Sequence, residues 1–139
     1  MSTPQADPVE TMVRARTIAV VGVSSNPSRP SNDVAKYLIE AGYTVYLVNP
    51  TETKIFGRPV YASLRDLPEP VDIVDIFRRP ADVPPVVEDA IAAGAKCVWM
   101  QLEIVNETAA ARAAEAGLAV VMDRCTKIEH QSWLAAQGR

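Results

Sequence analysis

Histidine and cysteine are nearly missing from this chain of 139 residues, which has one His, His130, and two Cys, Cys97 and Cys125. Two cysteines build no disulfide framework, so a reducing, cytoplasmic setting is expected. A single histidine leaves no Ser-His-Asp arrangement beyond itself. Its neighbours Asp123, Cys125 and Glu129 do not fall at zinc-ligand spacing. No metal site is expected, and His130 reads as a surface or capping residue. Basic charge is not in excess: 14 Lys and Arg stand against 17 Asp and Glu, a net charge of −3. That balance argues against a general nucleic-acid or membrane-surface binder. The longest apolar run, Ala116 to Met122, falls far short of a membrane span. Met1 to Glu10 holds Asp7, Glu10 and two prolines and no apolar core, so it does not read as a signal peptide.

Glycine is scarce as well, six in all, and this scarcity decides between nucleotide motifs. A dinucleotide fingerprint needs G-x-G-x-x-G. Here Gly22 is alone, and Ser24 and Pro27 fill the second and third glycine places. The acidic residue expected for a ribose diol at the end of the second strand is replaced by Asn49. No G-K-[ST] occurs, so there is no Walker A loop. NAD and P-loop readings are both disfavoured.

What is present is an ordered alternation. Residues 1–12 read as a flexible tail, with a short lead-in helix over 9–15, and residues 13–139 as one domain. Thr17 to Val21 is apolar on both faces, as a strand covered by helices on both sides must be. It breaks at Gly22 into a Ser/Pro-rich loop and reaches a helix at Ser31, which can serve as N-cap, with Gly42 following the helix end. Further strands are expected at 44–48, 71–77, 97–102 and 118–122, and a brief extended stretch at Val60-Tyr61. Helices are expected at 82–93, with Pro84 and Pro85 in the first turn, at 106–116 and at 127–136. There is no repeat and no internal linker. The pattern predicts an α/β fold: one Rossmann-like doubly wound domain, a five-stranded parallel sheet with helices on both faces.

In such a sheet, ligands sit outside the carboxyl ends of the strands, where strand order reverses. The residues expected there carry positive charge. Strand one exits into Gly22-Val-Ser-Ser with Arg29 close by, strand two into Asn49-Pro50 with Lys54 soon after, and strand three into Phe77-Arg78-Arg79. Strand four exits through Gln101 and strand five through Asp123-Arg124. Arginines placed this way can make charge-assisted, bidentate bonds to phosphate, and a helix N-terminus adds about half a unit of positive charge.

Several segments together resemble a known family: Gly22-Val-Ser-Ser-Asn-Pro-Ser-Arg-Pro-Ser31, Val48-Asn-Pro50, Gly57-Arg-Pro-Val-Tyr61, Asp72 to Arg79, Val98-Trp-Met-Gln101, and Met122-Asp-Arg-Cys-Thr-Lys-Ile-Glu-His130. They resemble the stand-alone CoA-binding proteins, which are similar to the CoA-binding domain of the succinyl-CoA synthetase α subunit. The resemblance runs from Thr17 to Trp133 and implies coenzyme A, or acyl-CoA, as the ligand. It places Gly22, Val23, Ser24 and Ser25 along the phosphates, with Arg29, Pro30 and Ser31 nearby. Asn49, Pro50 and Lys54 border the adenosine part, and Phe77, Arg78 and Val83 the other flank. Arg79, Gln101 and Arg124 join the candidate set from their positions at strand exits. Related acyl-CoA synthetases place a lysine directly after the Asn-Pro pair, where this chain has Thr51; Lys54 is the candidate substitute.

The synthetase works through a phosphorylated histidine in a second domain, for which this chain has no counterpart. Non-catalytic binding of the coenzyme is therefore the expected function. The alternative is a nucleotide-dependent enzyme, either an NAD(P)-linked oxidoreductase or a small acyl transferase, and a third reading is an interaction protein with a vestigial pocket. Cys125 is the one candidate reactive group: it follows Arg124 and precedes a helix, both of which lower a thiol pKa. Its bland reading is a small buried residue. Asp72 and Asp75 lie three apart on a strand and face opposite sides, so one of them is expected to cap loop N–H groups. Trp99 and Trp133 read as packing residues. Edge strands and Ala-rich helices permit a homodimer or another protein partner without requiring either.

Overall fold

The computed structural model describes residues 3–138. The run Thr17–Val21 forms β1 at the middle of the sheet, with Ile18 to Val21 all buried. Alternate residues point to opposite faces. Ile18 and Val20 pack into one hydrophobic cluster, Ala19 and Val21 into the other. The loop after β1 leads to α2 (Pro30–Glu40), then β2 (Thr44–Val48). A short edge pair follows, β3 (Lys54–Ile55) and β4 (Arg58–Tyr61). The remaining elements are β5 (Ile73–Ile76), α3 (Val83–Ala92), β6 (Cys97–Met100), α4 (Glu107–Glu115), β7 (Ala119–Val121) and α5 (Thr126–Gln137). Single 3-10 turns cover Leu64–Asp66 and Pro80–Asp82. No helix among the described residues is long and apolar enough to cross a membrane.

The sheet order is β3-β4-β2-β1-β5-β6-β7. It has seven strands rather than the expected five, and one antiparallel pair. β4 extends the parallel sheet beyond β2, through Leu47↔Val60 and Val48↔Tyr61, and β3 runs antiparallel to β4. The β3–β4 turn is Phe56-Gly57, both at positive φ, the backbone of a tight two-residue hairpin. Two features hid this pair in the sequence: β3 is two residues long, and β4 opens with Arg58-Pro59 at a solvent edge, so neither shows alternation.

Strand order reverses between β1 and β5: the chain moves from β1 to β2 on one side, then returns to lay β5 on the other. Helices α3 and α4 cover one face, burying Val83, Val87, Ala90, Ala109, Ala110 and Ala113. Helices α1 (Pro8–Arg14), α2 and α5 cover the other.

Two local expectations are corrected. Ser31 is not the N-cap of α2: Arg29 takes that position without a side-chain bond and Pro30 is the first helical residue. The helix expected over 82–93 is present as α3, capped by Asp82 and Ala93, after a 3-10 turn opened by Pro80. Asp72 lies before its strand rather than in it, where its Oδ2 accepts from the N–H groups of Arg16 at 2.8 Å and Thr17 at 3.2 Å. Burial pushes the Asp72 carboxyl up, but these N–H groups and the Lys96 ammonium outweigh it and hold it below the ordinary range. Of the lead expected to be flexible, Met1 and Ser2 lie outside the described residues. Beyond them, Ala6 N–H donates to Val120 O at 2.9 Å, Asp7 caps α1, and Met12 is fully buried.

Candidate functional site

At the switch point the exits of β1 and β5 are pressed together. Gly22, at φ +86°, passes so close to the β5 exit that a Cβ there would stand 2.2 Å from the carbonyl oxygen of Phe77. Only glycine fits this crossing. A cleft of about 770 Å³ opens above it, bounded by Gly22, Ser24, Pro30 and Ser31 on one side and by Phe77, Arg78 and Arg79 on the other. It extends to the exit of β6, two strands or about 10 Å from β1, where Gln101, Leu102, Glu103, Ile104 and Cys125 line it.

The loop between β1 and α2 is folded on itself. Ser24 N–H donates to Ser31 Oγ at 3.0 Å, Asn26 N–H to Ser24 Oγ at 3.0 Å and Ser28 N–H to Asn26 Oδ1 at 2.9 Å. Ser25 N–H donates to the Glu52 carboxylate at 2.5 Å. Asn32 and Asn49 anchor the loop from below by donating to the carbonyls of Ser24 and Val23. The N–H groups of Ser24 and Ser25, read from the sequence as facing phosphate, are thus engaged within the protein. Positive charge in the cleft comes instead from side chains. Arg79 is exposed and paired with Asp82 at 2.9 Å, whereas Arg29 and the half-buried Arg78 enter no ion pair among the described residues.

The floor at β6 is different. Asp75 is fully buried on the α2/α5 side of the sheet and enters no ion pair among the described residues. Burial pushes its carboxyl up to about 7, against the lowering effect of hydrogen bonds from Gln101 and Thr126. Gln101 Nε2 donates to Asp75 Oδ1 at 2.6 Å and to Thr126 Oγ1 at 3.0 Å, and the Thr126 hydroxyl donates to Asp75 Oδ2 at 2.8 Å. Cys125 sits at the start of α5, where its sulfur accepts from the N–H groups of Ile128 and Lys127. Burial nevertheless pushes its thiol pKa up, aided by the charge of Asp75. The activation expected from Arg124 and the helix is therefore outweighed. Arg124 points elsewhere, 3.7 Å from Glu129, and borders a separate hollow with Gln5 and Pro8.

The cleft brings together Gly22, Ser24, Arg29, Pro30, Ser31, Phe77, Arg78, Arg79 and Gln101 of the expected set. The rest stand apart. Val23 and Val83 are wholly buried in the two cores. Ser25 is exposed, Asn49 supports the loop, and Pro50 borders a small hollow shared with Arg78. Lys54 is exposed at the far sheet edge. His130 is corrected most: it is buried, its Nδ1 lies 2.7 Å from Tyr37 Oη, and its ring stands between Tyr37 and Tyr43. Burial lowers its pKa. Trp99 is fully buried, and its indole N–H donates to the Arg124 carbonyl at 2.7 Å. Val34, Leu102, Glu103 and Ile104 line the cleft without having been singled out. The sequence signal for the last three was their place after a strand end; the positive φ of Glu103, 68°, carried none.

The CoA binding domain family matches residues 16–131. The uncharacterized protein YneT of Bacillus subtilis is 39% identical over 126 residues, 91% of this chain and 93% of that protein. A segment of 96 residues, 65% of this chain, is 34% identical to the α subunit of ADP-forming acetate–CoA ligase I from Pyrococcus furiosus, of which it spans 21%. Among solved structures, a hypothetical protein from Pyrococcus horikoshii superposes with a TM-score of 0.89 at 44% identity, covering 92% of this chain and 90% of that one. With a match across nearly all of the folded chain, and with the cleft at the reversal of strand order, this protein belongs to the CoA binding domain family.

Proposed function

We propose that this chain binds coenzyme A, or an acyl-CoA, in the cleft at the carboxyl edge of its sheet, and that it does so without catalysing a reaction on it. The observation that carries this reading is Arg78: a half-buried arginine whose Cδ lies beside Gly22, in no ion pair among the described residues, at the reversal of strand order. An arginine so placed is available for charge-assisted hydrogen bonds to an anion. Arg29, at the start of α2, lines the same cleft, so a diphosphate bound there would meet two cations. The match to a segment of acetate–CoA ligases, whose names include the coenzyme, supports the choice of ligand.

Isothermal titration at moderate ionic strength should show heat with coenzyme A and none with NAD. Arg78→Ala should weaken the coenzyme by about 1.5–3 kcal/mol, the worth of a charge-assisted bond. No heat from the coenzyme would end the reading, and an unchanged affinity in the variant would remove Arg78 from it.

A further inference from the structure

The cleft has a cationic half at the β1 and β5 exits and, at β6, an end without cations, lined by Gln101, Leu102, Ile104 and Cys125 with Glu103 beside them. Gln101 lies at the floor of that end, 4% exposed. A glutamine amide can present either its donor or its acceptor end to a cavity. Once Asp75 is ionised the choice is forced. Its carboxylate can then only accept, and it takes one N–H of the amide. The single Thr126 hydroxyl proton is spent on Asp75, so Thr126 Oγ1 also acts as an acceptor toward the amide. Both N–H bonds of Nε2 are thus committed inward. A flipped amide would set its oxygen 2.6 Å from a carboxylate oxygen and against the lone pairs of Thr126. Oε1 makes no side-chain hydrogen bond, and no buried side-chain nitrogen or oxygen among the described residues lacks a partner, so Oε1 opens on the cleft.

We infer that Asp75 and Thr126 are positioning residues that hold the Gln101 carbonyl oxygen toward the cleft, where it selects a ligand arm bearing an uncharged hydrogen-bond donor such as an amide N–H. The inference rests on the coenzyme reading: the phosphates take the arginine half, and the pantetheine arm, with its amide N–H groups, reaches the β6 floor. Leu102, Ile104 and Cys125 around Gln101, with the Glu103 carboxylate at the same end, suit an arm that carries no negative charge.

Asp75→Asn is nearly isosteric, but its amide can donate. Gln101 is then no longer held in one orientation and can show the cleft either its oxygen or its N–H groups. Gln101→Leu removes the acceptor outright. At pH 8, where Asp75 is ionised, titrations of wild type and both variants with coenzyme A and with adenosine 3′,5′-bisphosphate, which lacks the arm, test the idea. Gln101→Leu should lose about fivefold to tenfold in affinity for coenzyme A, the worth of about one neutral hydrogen bond, and Asp75→Asn a smaller part of that loss, with the bisphosphate unchanged. Coenzyme affinity unaltered in both variants, or an equal loss for both ligands, would overturn the inference while the coenzyme reading stands. Wild type that binds neither ligand would overturn both.

Discussion

The two faces of the sheet are built by different rules. The face under α3 and α4 buries an unbroken apolar layer: Val74, Ile76, Val98 and Met100 from the strands meet Val83, Val87 and a row of alanines from the helices. The face under α1, α2 and α5 holds every buried polar side chain among the described residues, namely Ser31, Asn32, Asp75, Gln101, Thr126 and His130. Both faces are equally closed to water, so burial alone does not separate them. The difference lies in what borders them. Five of these six groups cluster where α2 and α5 begin, beside the cleft, while His130 lies at the far end against Tyr37 and Tyr43; each finds a partner. One face is a packing surface; the other carries the loops and side chains that shape the site.

The sharpest way to break this comparison is pH. In the folded state Asp75 keeps its proton up to about 7, whereas in the unfolded chain it releases it near the ordinary carboxylate value. Across that window the folded state binds more protons, so stability falls as pH rises from about 4 to about 7 and then levels off. At about 1.4 kcal/mol per unit, the fall is on the order of 4 kcal/mol. Asp75→Asn should abolish it in urea titrations repeated at each pH. Matching profiles for wild type and variant would show that the carboxylate is not desolvated. The thiols of Cys97, pushed up to about 12, and Cys125 face the same carboxylate and stay neutral throughout this range. His130 acts in the opposite sense. Its folded pKa is lowered, so the unfolded chain takes up the proton first, and its contribution is lost as pH falls below about 6.5.

The apolar face should punish polarity. Val98→Thr keeps the side-chain shape but buries a hydroxyl with no partner, costing about 2 kcal/mol. A loss below about 0.5 kcal/mol in chemical denaturation would erase the distinction between the faces. The smallest effect is expected at the far end of the polar face. Tyr37→Phe removes the 2.7 Å contact with His130 and should cost about 1 kcal/mol, read as a shift in denaturation midpoint at pH 8.

How much of this was legible in the sequence depended on whether the signal was local. The buried run of β1, the glycine that breaks it and the alternation of strand and helix are read from spacing, and the structure follows them. Ser31 looks like a cap because its type fits, but Pro30 starts the helix one residue earlier and turns the Ser31 hydroxyl toward Ser24. Arg124 and Lys54 follow strand ends just as Arg78 does. Strand order separates them: β7 and β3 lie at the two borders of the sheet, and the cleft is in the middle. Asp72 and Asp75 are alike in sequence; one binds loop N–H groups at the amino edge, and the other lies beneath the start of α5.

By itself, the sequence determined the α/β alternation, the small-residue break after the first strand and the supply of arginines near strand exits. These follow from side-chain periodicity and from backbone freedom, which act within a few residues. Tertiary structure alone decided which exits meet at the reversal, that Gly22 must pass beneath the Phe77 carbonyl, and that Asp75, Gln101 and Thr126, up to 51 residues apart, share one buried network. Contacts of that kind depend on which strands become neighbours, and no local pattern encodes that.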